Sequence, residues 1–241
     1  MTSFNEFGLA EPILRALAQE KYVTPTPIQA QTIPLACQNR DVIGIAQTGT
    51  GKTAAFALPI LNHLFNKRQH PAQKSCRVLV LSPTRELSGQ IADSFRAYGR
   101  HIRPLEIALA IGGVPINRQV RALARGAEVL VATPGRLLDL VHQRALRLDQ
   151  IEVLVLDEAD RMLDMGFIHD IKKIVAMLPK QRQTLFFSAT MPQEIIRLAD
   201  AMLREPARVA VTPQATTVDR IEQRVILTEK ASKASLLIEV L

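Results

Sequence analysis

Six short apolar runs recur through the middle of the chain, none of them broken by a charged residue. They are Val42–Ile45, Val78–Leu81, Ile107–Ile111, Val129–Ala132, Val153–Leu156 and Leu185–Phe187, and each gives way at once to small polar residues and then to a helical pattern. A strand with one wet face alternates apolar and polar positions. Runs without that alternation suit strands buried on both faces, which is the condition of a parallel sheet. Strands that alternate with helices predict a right-handed, doubly wound α/β layer structure with helices on both faces of a mostly parallel sheet. In such folds ligands sit beyond the carboxyl ends of the strands, and that is where every one of these polar clusters falls. A further run, Ala207–Val211, closes the predicted sheet.

Ahead of the first strand, Leu9, Ile13, Leu14 and Leu17 recur at helical spacing. Thr24-Pro25-Thr26-Pro27-Ile28-Gln29 breaks that helix and starts another, with Thr26 as cap and Pro27 at its first position, running to about Cys37. Beyond the sheet, residues 212–220 read as a linker, Ile221–Leu227 as a strand and Ala231–Leu241 as the start of an apolar-faced helix. The expected organisation is one domain over 1–211, with its leading helices in 1–38, then the linker, then residues 221–241 as the opening of a second domain cut short. The alternative is a complete chain whose last helix docks on its own sheet. If 221–241 lacks its own domain, that apolar stretch is expected either to be disordered or to pack on a second copy.

Composition narrows the partners. A 47% hydrophobic content is enough for a substantial core, and 30 Lys+Arg against 23 Asp+Glu leave a net charge of +7, a balance that favours a polyanionic partner. The two cysteines, Cys37 and Cys76, are too far apart for a metal or redox motif and read as buried thiols in a reducing compartment. The opening Met1-Thr2-Ser3-Phe4 has neither a basic nor an apolar signal region. No apolar run approaches the about 18–20 residues a bilayer demands. A soluble, cytoplasmic protein without a membrane partner is expected.

The chemistry centres on Ala46-Gln47-Thr48-Gly49-Thr50-Gly51-Lys52-Thr53, placed between an apolar strand and a helix start. Such a loop wraps backbone N–H groups around a phosphate at the positive end of a helix. Lys52 then reaches the outer phosphates and the Thr53 hydroxyl holds Mg²⁺. Ala46 stands where the usual pattern has Gly. Asp157, beyond a second strand, is the metal-directing carboxylate, since Mg²⁺ keeps several waters and needs only one or two protein carboxylates. Glu158 follows beside the place of an attacking water, which it can orient and deprotonate. Guanine reading finds no support: Asn66-Lys67-Arg68-Gln69 begins a guanine-reading motif but lacks its acid. Gln29 offers an amide that matches the adenine N6/N7 edge, and Tyr22 an aromatic face.

In this order the motifs resemble the DEAD-box family of ATP-dependent RNA helicases: Thr24–Gln29 (the Q motif), Ala46–Thr53 (motif I), Pro83-Thr84-Arg85-Glu86-Leu87 (Ia), Gly112-Gly113, Thr133-Pro134-Gly135-Arg136 (Ib), Asp157-Glu158-Ala159-Asp160 (II) and Ser188-Ala189-Thr190 (III). The likeness spans residues 4–211 and is closest to bacterial members. It implies a RecA-like P-loop domain, ATP and Mg²⁺ as cofactors, and RNA as partner. It implies that Gln29 reads adenine with Tyr22 stacked on it and Pro27 shaping the turn, and that Phe4 is a packing anchor. Lys21 stands where the family usually has Gly. Lys52, Asp157 and Glu158 take the catalytic roles. Ser188 and Thr190 couple the nucleotide site to unwinding through hydrogen bonds to Asp160; the plainer alternative is a helix cap ahead of Pro192, and the two roles are compatible.

On the RNA side the resemblance places Pro83, Thr84, Arg85, Gln90, Gly112, Gly113, Thr133, Pro134, Gly135 and Arg136. These groups suit phosphates and 2′-hydroxyls rather than base edges, and a chain with no Trp and only eight Phe and two Tyr makes a poor stacking platform. Sequence-independent binding that weakens with salt is expected. The family's second RecA-like domain, with its arginine fingers, is not in this sequence, and such fingers are worth about 10³–10⁵ in rate. The chain alone is therefore expected to bind nucleotide but to hydrolyse and unwind little. A non-catalytic RNA-binding or scaffolding role for the same surface, and a motor on double-stranded DNA, are the competing readings.

Overall fold

A computed structural model describes residues 3–211 and 226–240 and divides the chain into two compact units, Met1–Val211 and Thr212–Leu241. Seven strands form one sheet in the first unit: β1 (Val42–Ile45), β2 (Cys76–Leu81), β3 (Ile107–Ala110), β4 (Ala127–Ala132), β5 (Val153–Leu156), β6 (Gln183–Ser188) and β7 (Ala207–Ala210). Their order is β3-β4-β2-β5-β6-β1-β7, and every recorded pairing is parallel. The expected runs fall inside these strands, except that Ile111 and Val211 lie one residue past the ends of β3 and β7. Four of them are buried along their whole length, which is why apolar alternation is missing from their sequences.

Side chains alternate across the sheet into two cores. On one face Val78, Val80, Val153, Val155 and Phe187 pack with Phe56 and Phe95. These belong to α3 (Lys52–Asn66) and α4 (Arg85–Tyr98), beneath α1 (Glu11–Gln19) and α2 (Pro27–Cys37). On the other face Leu79, Leu81, Leu154, Leu156 and Phe186 pack with Leu123, Leu137, Met162, Ile171 and Leu198. Those come from α5 (Ile116–Leu123), α6 (Pro134–His142), α7 (Ala159–Asp164), α8 (Ile168–Ala176) and α9 (Gln193–Met202).

The strand order has a functional consequence. β3, β4 and β2 are neighbours, and so are β5, β6 and β1, so the carboxyl edge is divided into two halves that meet between β2 and β5. At the opposite end of that seam a charged clasp holds the two together. Arg77 of β2 donates to Glu152, just ahead of β5, at 2.5 Å from Nε and 3.3 Å from Nη2, and the same carboxylate accepts from Lys67 at 3.1 Å and lies 2.9 Å from His63. Arg77 is only 3% exposed. Burial works to raise the Glu152 carboxyl, but hydrogen bonds from His63, Arg77 and Lys67 outweigh it and hold the group well below the usual carboxylate range.

The expected helix start at Thr26 is present: Thr26 is the N-cap of α2, Pro27 opens the helix, and the Gln29 side chain accepts from the Thr26 N–H at 2.9 Å, one half of a capping box. In the second unit a 3₁₀ turn at Lys230–Ser232 leads into α10 (Lys233–Val240), where a helix is expected. The expected linker at 212–220 and most of the expected strand at Ile221–Leu227 lie outside the described residues; the described end of that run, Ile226–Leu227, is in no strand. Neither cysteine is paired: Cys76 is fully buried and Cys37 half-buried. No helix among the described residues is long and apolar enough to cross a membrane.

Candidate functional site

The half of the edge formed by β5, β6 and β1 gathers one set of the expected residues. β1 ends at Ile45, and the Ala46 N–H donates to the Ser188 carbonyl at the tip of β6, tying the loop to its neighbour. Gly51 has φ +95°, and a Cβ there would fall 2.5 Å from Gln29 Nε2, so only glycine fits. Lys52 opens α3, is 6% exposed, and turns its Nζ back to donate to the Ala46 carbonyl at 2.9 Å. Gln47, Thr48 and Gly49 are exposed along the outer part of the loop, with Thr50 and Thr53 half-buried. Thr50 donates to the Gln47 carbonyl at 2.7 Å.

Facing this loop, at the end of β5, are Asp157 and Glu158, 2% and 7% exposed. Burial pushes the Asp157 carboxyl up to about 6; the Lys52 ammonium pulls the other way and the Glu158 charge adds to the rise. A carboxylate buried beside a single ammonium is short of positive charge. Glu158 bridges the two segments, accepting from Thr48 Oγ1 at 3.2 Å and from Arg161 Nη1 at 3.3 Å. It adopts φ +53° and ψ +52° at the N-cap of α7. A left-handed conformation in a non-glycine residue costs about 1–2 kcal/mol, and strain of this kind gathers where the chain must aim a particular side chain.

Asp160, one residue into α7, joins β6 to this group. Thr190 donates to its Oδ2 from both Oγ1 and the backbone N–H, each at 2.8 Å. The Asp160 N–H donates to Ser188 Oγ at 3.1 Å, and Ser188 Oγ donates to the Thr190 carbonyl at 2.8 Å. Burial raises the Asp160 carboxyl, yet the Thr190 bonds prevail and hold it below its usual value. The alternative, a side-chain cap for α9, is not what forms: its N-cap is Pro192, with no side-chain cap bond.

The expected base-reading pair stands beside the loop. Gln29 is 2% exposed and already engaged at both ends of its amide, with Oε1 accepting from Thr26 and Nε2 donating to the Gly51 carbonyl at 3.1 Å. Pro27 opens the same helix. Tyr22 is 38% exposed, shares a 2.9 Å hydroxyl contact with Tyr98, and rests its ring edge-on against Tyr98 and at a tilt to the buried Phe4. Lys21 keeps a glycine-like φ of +59°.

The other half of the edge, at β3, β4 and β2, gathers the second set. Pro83, Thr84, Arg85, Gly112, Thr133 and Gly135 line one open cleft of about 350 Å³. Thr84 caps α4 by accepting from the Leu87 N–H at 3.2 Å, and Thr133 is the N-cap of α6. Arg85 lies across the glycine pair: a Cβ on Gly113, which has φ +75°, would sit 1.9 Å from its Nη1. Three expected residues behave differently. Gln90 is exposed further along α4, and Pro134 is buried at the start of α6. Arg136 is not a free surface charge, because its Nη1 donates to the Val114 carbonyl at 2.8 Å and its Nε is 3.6 Å from Asp139. It fixes the loop after Gly113.

Three lining residues were not anticipated as contacts, Glu86, Met165 and Phe167. α7 ends in a Schellman turn at Gly166, with φ +80°, the Phe167 N–H donating to the Met162 carbonyl and the Gly166 N–H to the Leu163 carbonyl. That turn carries the chain from the carboxylate half of the edge into the cleft of the other. The available signal was a glycine flanked by Met165 and Phe167 seven residues after Ala159.

Among the described residues no group of three or more His, Cys, Asp or Glu could hold a metal by itself. The sequence profile of the family described as DEAD/DEAH box helicase matches residues 26–198. A DEAD-box ATP-dependent RNA helicase CshA of Bacillus cereus is 43% identical over 241 residues, covering all of this chain and 45% of the relative. An ATP-dependent RNA helicase DeaD of Klebsiella pneumoniae is 45% identical over 222 residues, 92% of this chain and 34% of the relative. Among solved structures, a DEAD box protein from Methanococcus jannaschii matches with a TM-score of 0.80 at 35% identity, covering 100% of this chain and 63% of that one. The chain spans about half the length of the curated relatives it matches.

Proposed function

The chain belongs to the DEAD/DEAH box helicase family, and on that premise we propose that it is the ATP- and RNA-binding amino-terminal half of an ATP-dependent RNA helicase. The observation that carries this reading is the meeting of the Lys52 loop with Asp157 and Glu158, joined by the Thr48–Glu158 bond at 3.2 Å. In the proposed mechanism the backbone N–H groups from Gln47 to Thr53 and the Lys52 ammonium hold the phosphates of ATP. Lys52 leaves the Ala46 carbonyl to do so. Gln29 uses its remaining amide hydrogen and lone pair on adenine, and Tyr22 lies against the ring.

Mg²⁺ fits the residues present. Asp157 is a buried carboxylate beside the buried Glu158, its pKa raised first by burial and then by the Glu158 charge, with Lys52 pulling the other way, and a metal that draws most of its ligands from water and phosphate needs little more than such a carboxylate. Asp157, through water, and the Thr53 hydroxyl would hold it, and it would neutralise charge on the transferring phosphate. Glu158 orients the attacking water and takes its proton. Asp160, Ser188 and Thr190 transmit the state of this site to the cleft at β2–β4, where Thr84, Arg85, the Gly112-Gly113 backbone and Thr133 hold the RNA backbone. A cytoplasmic setting suits both the free cysteines and the RNA.

Full turnover requires the second RecA-like domain. Mg·ATP binding by the 241-residue chain is expected to fall about 10–100-fold in Lys52→Ala, the worth of one strong charge-assisted contact. RNA-stimulated hydrolysis is expected from the longer protein and not from this chain. RNA and not duplex DNA should stimulate. Robust stimulated turnover by the 241-residue chain would contradict the division of labour, and unimpaired binding by Lys52→Ala would remove the nucleotide site. A solution molar mass above that of one chain, together with protection of the 221–241 stretch from protease, would support contact of that stretch with a second copy.

A further inference from the structure

A basic stretch with no acid in it follows directly on the glycine loop of the cleft. From Ile107 to Gly126 there is no acidic residue, while Arg118, Arg121 and Arg125 all occur. Arg118 and Arg121 are one turn apart on α5, and Arg125 follows two residues past its end, so the three share the stripe opposite the buried Gln119 and Leu123. All three are exposed. Among the described residues none of them meets a carboxylate, whereas Arg77, Arg96, Arg136 and Arg161 all do. Arginines left without acids on a helix that carries none present a local field that only an outside anion can answer.

The position of the helix says which anion. α5 starts three residues after Gly113 and is fixed to the glycine loop by the Gln119 side chain, whose Nε2 donates to the Ile111 carbonyl at 2.9 Å. The loop is held from the other side by Arg136 on Val114. The stripe thus begins beside the glycine loop, with Arg118 nearest to it and Arg125 farthest, where the chain returns toward the start of β4, and it lies on an element tied to that loop, which suits a surface that extends a phosphate-backbone path.

We propose that α5 is a second phosphate-binding surface for RNA, on which Arg118 and Arg121, with Arg125 behind them, take the strand where it passes the Gly112-Gly113 loop. This rests on the RNA reading of the cleft. Guanidinium groups there bind without regard to base, so the surface lengthens the footprint and steepens the salt dependence.

The test is fluorescence anisotropy of the 241-residue chain on a labelled single-stranded uridine oligomer between about 50 and 200 mM salt. Four proteins are compared: the unaltered chain, Arg85→Ala in the cleft, Arg118→Ala with Arg121→Ala, and Arg197→Ala with Arg208→Ala. The last pair removes the same charge at the far side of the sheet, from α9 and the β7 edge. The α5 pair is expected to weaken binding and make the log–log salt slope shallower by about 1.4, two single-strand contacts at about 0.7 each, with the distant pair unchanged. If Arg85→Ala weakens binding while the α5 pair matches the distant pair, the α5 surface is overturned and the cleft stands; an α5 stripe that serves an acidic protein gives this result. If the unaltered chain fails to bind the oligomer at any salt, the RNA reading falls and α5 with it.

Discussion

The two halves of the sheet's carboxyl edge are built on opposite plans. At β5, β6 and β1 the functional groups are buried and already bonded to one another: Lys52 to Ala46, Glu158 to Thr48 and Arg161, Asp160 to Thr190. At β3, β4 and β2 they line an open cleft, and the most forward of them, Arg85, is exposed. The difference fits the roles proposed for the two halves. Chemistry at a phosphate needs charges held in fixed positions where water is scarce, because low dielectric multiplies their effect. Holding a polyanion of any sequence needs only reachable donors, and its energy is dominated by displaced counterions.

The largest effect that separates the halves is expected at Glu158. Glu158→Gln keeps the shape and removes the base, so RNA-stimulated turnover by the longer protein should fall about 10²–10⁴-fold, with ATP affinity and RNA affinity of this chain held. Steady-state hydrolysis beside equilibrium binding checks it. If turnover survives, the water is activated elsewhere and the buried half loses its defining residue.

Next is the clasp beneath the seam, which should weaken both halves together. Glu152→Ala leaves the Arg77 guanidinium buried and unpaired, a loss of about 3–5 kcal/mol in unfolding free energy. The sign of the pH dependence follows from the depressed Glu152 carboxyl. A carboxyl held below its ordinary value contributes stability that is fully present above that value and drains as pH falls through it. The unaltered chain should therefore lose this contribution below about pH 4.5, and the variant's acid limb should be flatter there. Denaturant midpoints from pH 7 to 3 test it. A variant that loses RNA affinity but keeps nucleotide affinity and stability would show that the halves do not share this foundation.

How much of this could be read from the residues depends on how local each feature is. The strands were legible because a run such as Val153–Leu156, buried on both faces, has no other comfortable home. The Thr26 cap, the phosphate loop and the acidic quartet were legible for the same reason: each is a few consecutive residues with one physical purpose. What stayed hidden was pairing across the chain. Arg77 and Glu152 are 75 residues apart and nothing near either announces the other. Arg136 reads as a surface cation until Val114 is seen beneath it. Gln29 reads as a base contact, and only the fold shows that its amide also holds the loop at Gly51. Met165 and Phe167 enter the cleft through the direction of a Schellman turn, which a Gly signals but does not aim.

A smaller effect is expected in the open half. Arg85→Ala should lower RNA affinity of this chain by up to about tenfold at low salt, close to the worth of one exposed charged contact, and make the salt slope shallower by about 0.7. Uridine and adenosine oligomers should lose equally, since the guanidinium lies over Gly113 and away from any base-reading pocket. Anisotropy titrations on both oligomers give the answer. A loss confined to one base would move Arg85 from backbone contact to base contact and undo the contrast between the halves.

The smallest expected effect concerns a residue that serves neither half directly. α1 ends in a Schellman turn, the Tyr22 N–H donating to the Leu17 carbonyl and the Lys21 N–H to the Ala18 carbonyl. The left-handed position of that turn, usually glycine, is Lys21 at φ +59°. Glu158 is also left-handed, but its buried carboxylate bonds Thr48 and Arg161 at the site, whereas the Lys21 backbone makes only the helix-ending bond. Lys21→Gly should therefore relieve strain with no functional loss: a gain of about 1 kcal/mol, seen as a rise of about 2–4 °C in Tm for a chain of this size. ATP and RNA affinities should be unmoved. A fall in Tm would mean that the added freedom of glycine in the unfolded chain outweighs the relieved strain. A change in ATP affinity alone would show that the turn sets the position of Tyr22, and that the buried half extends further back into the chain than its hydrogen bonds reveal.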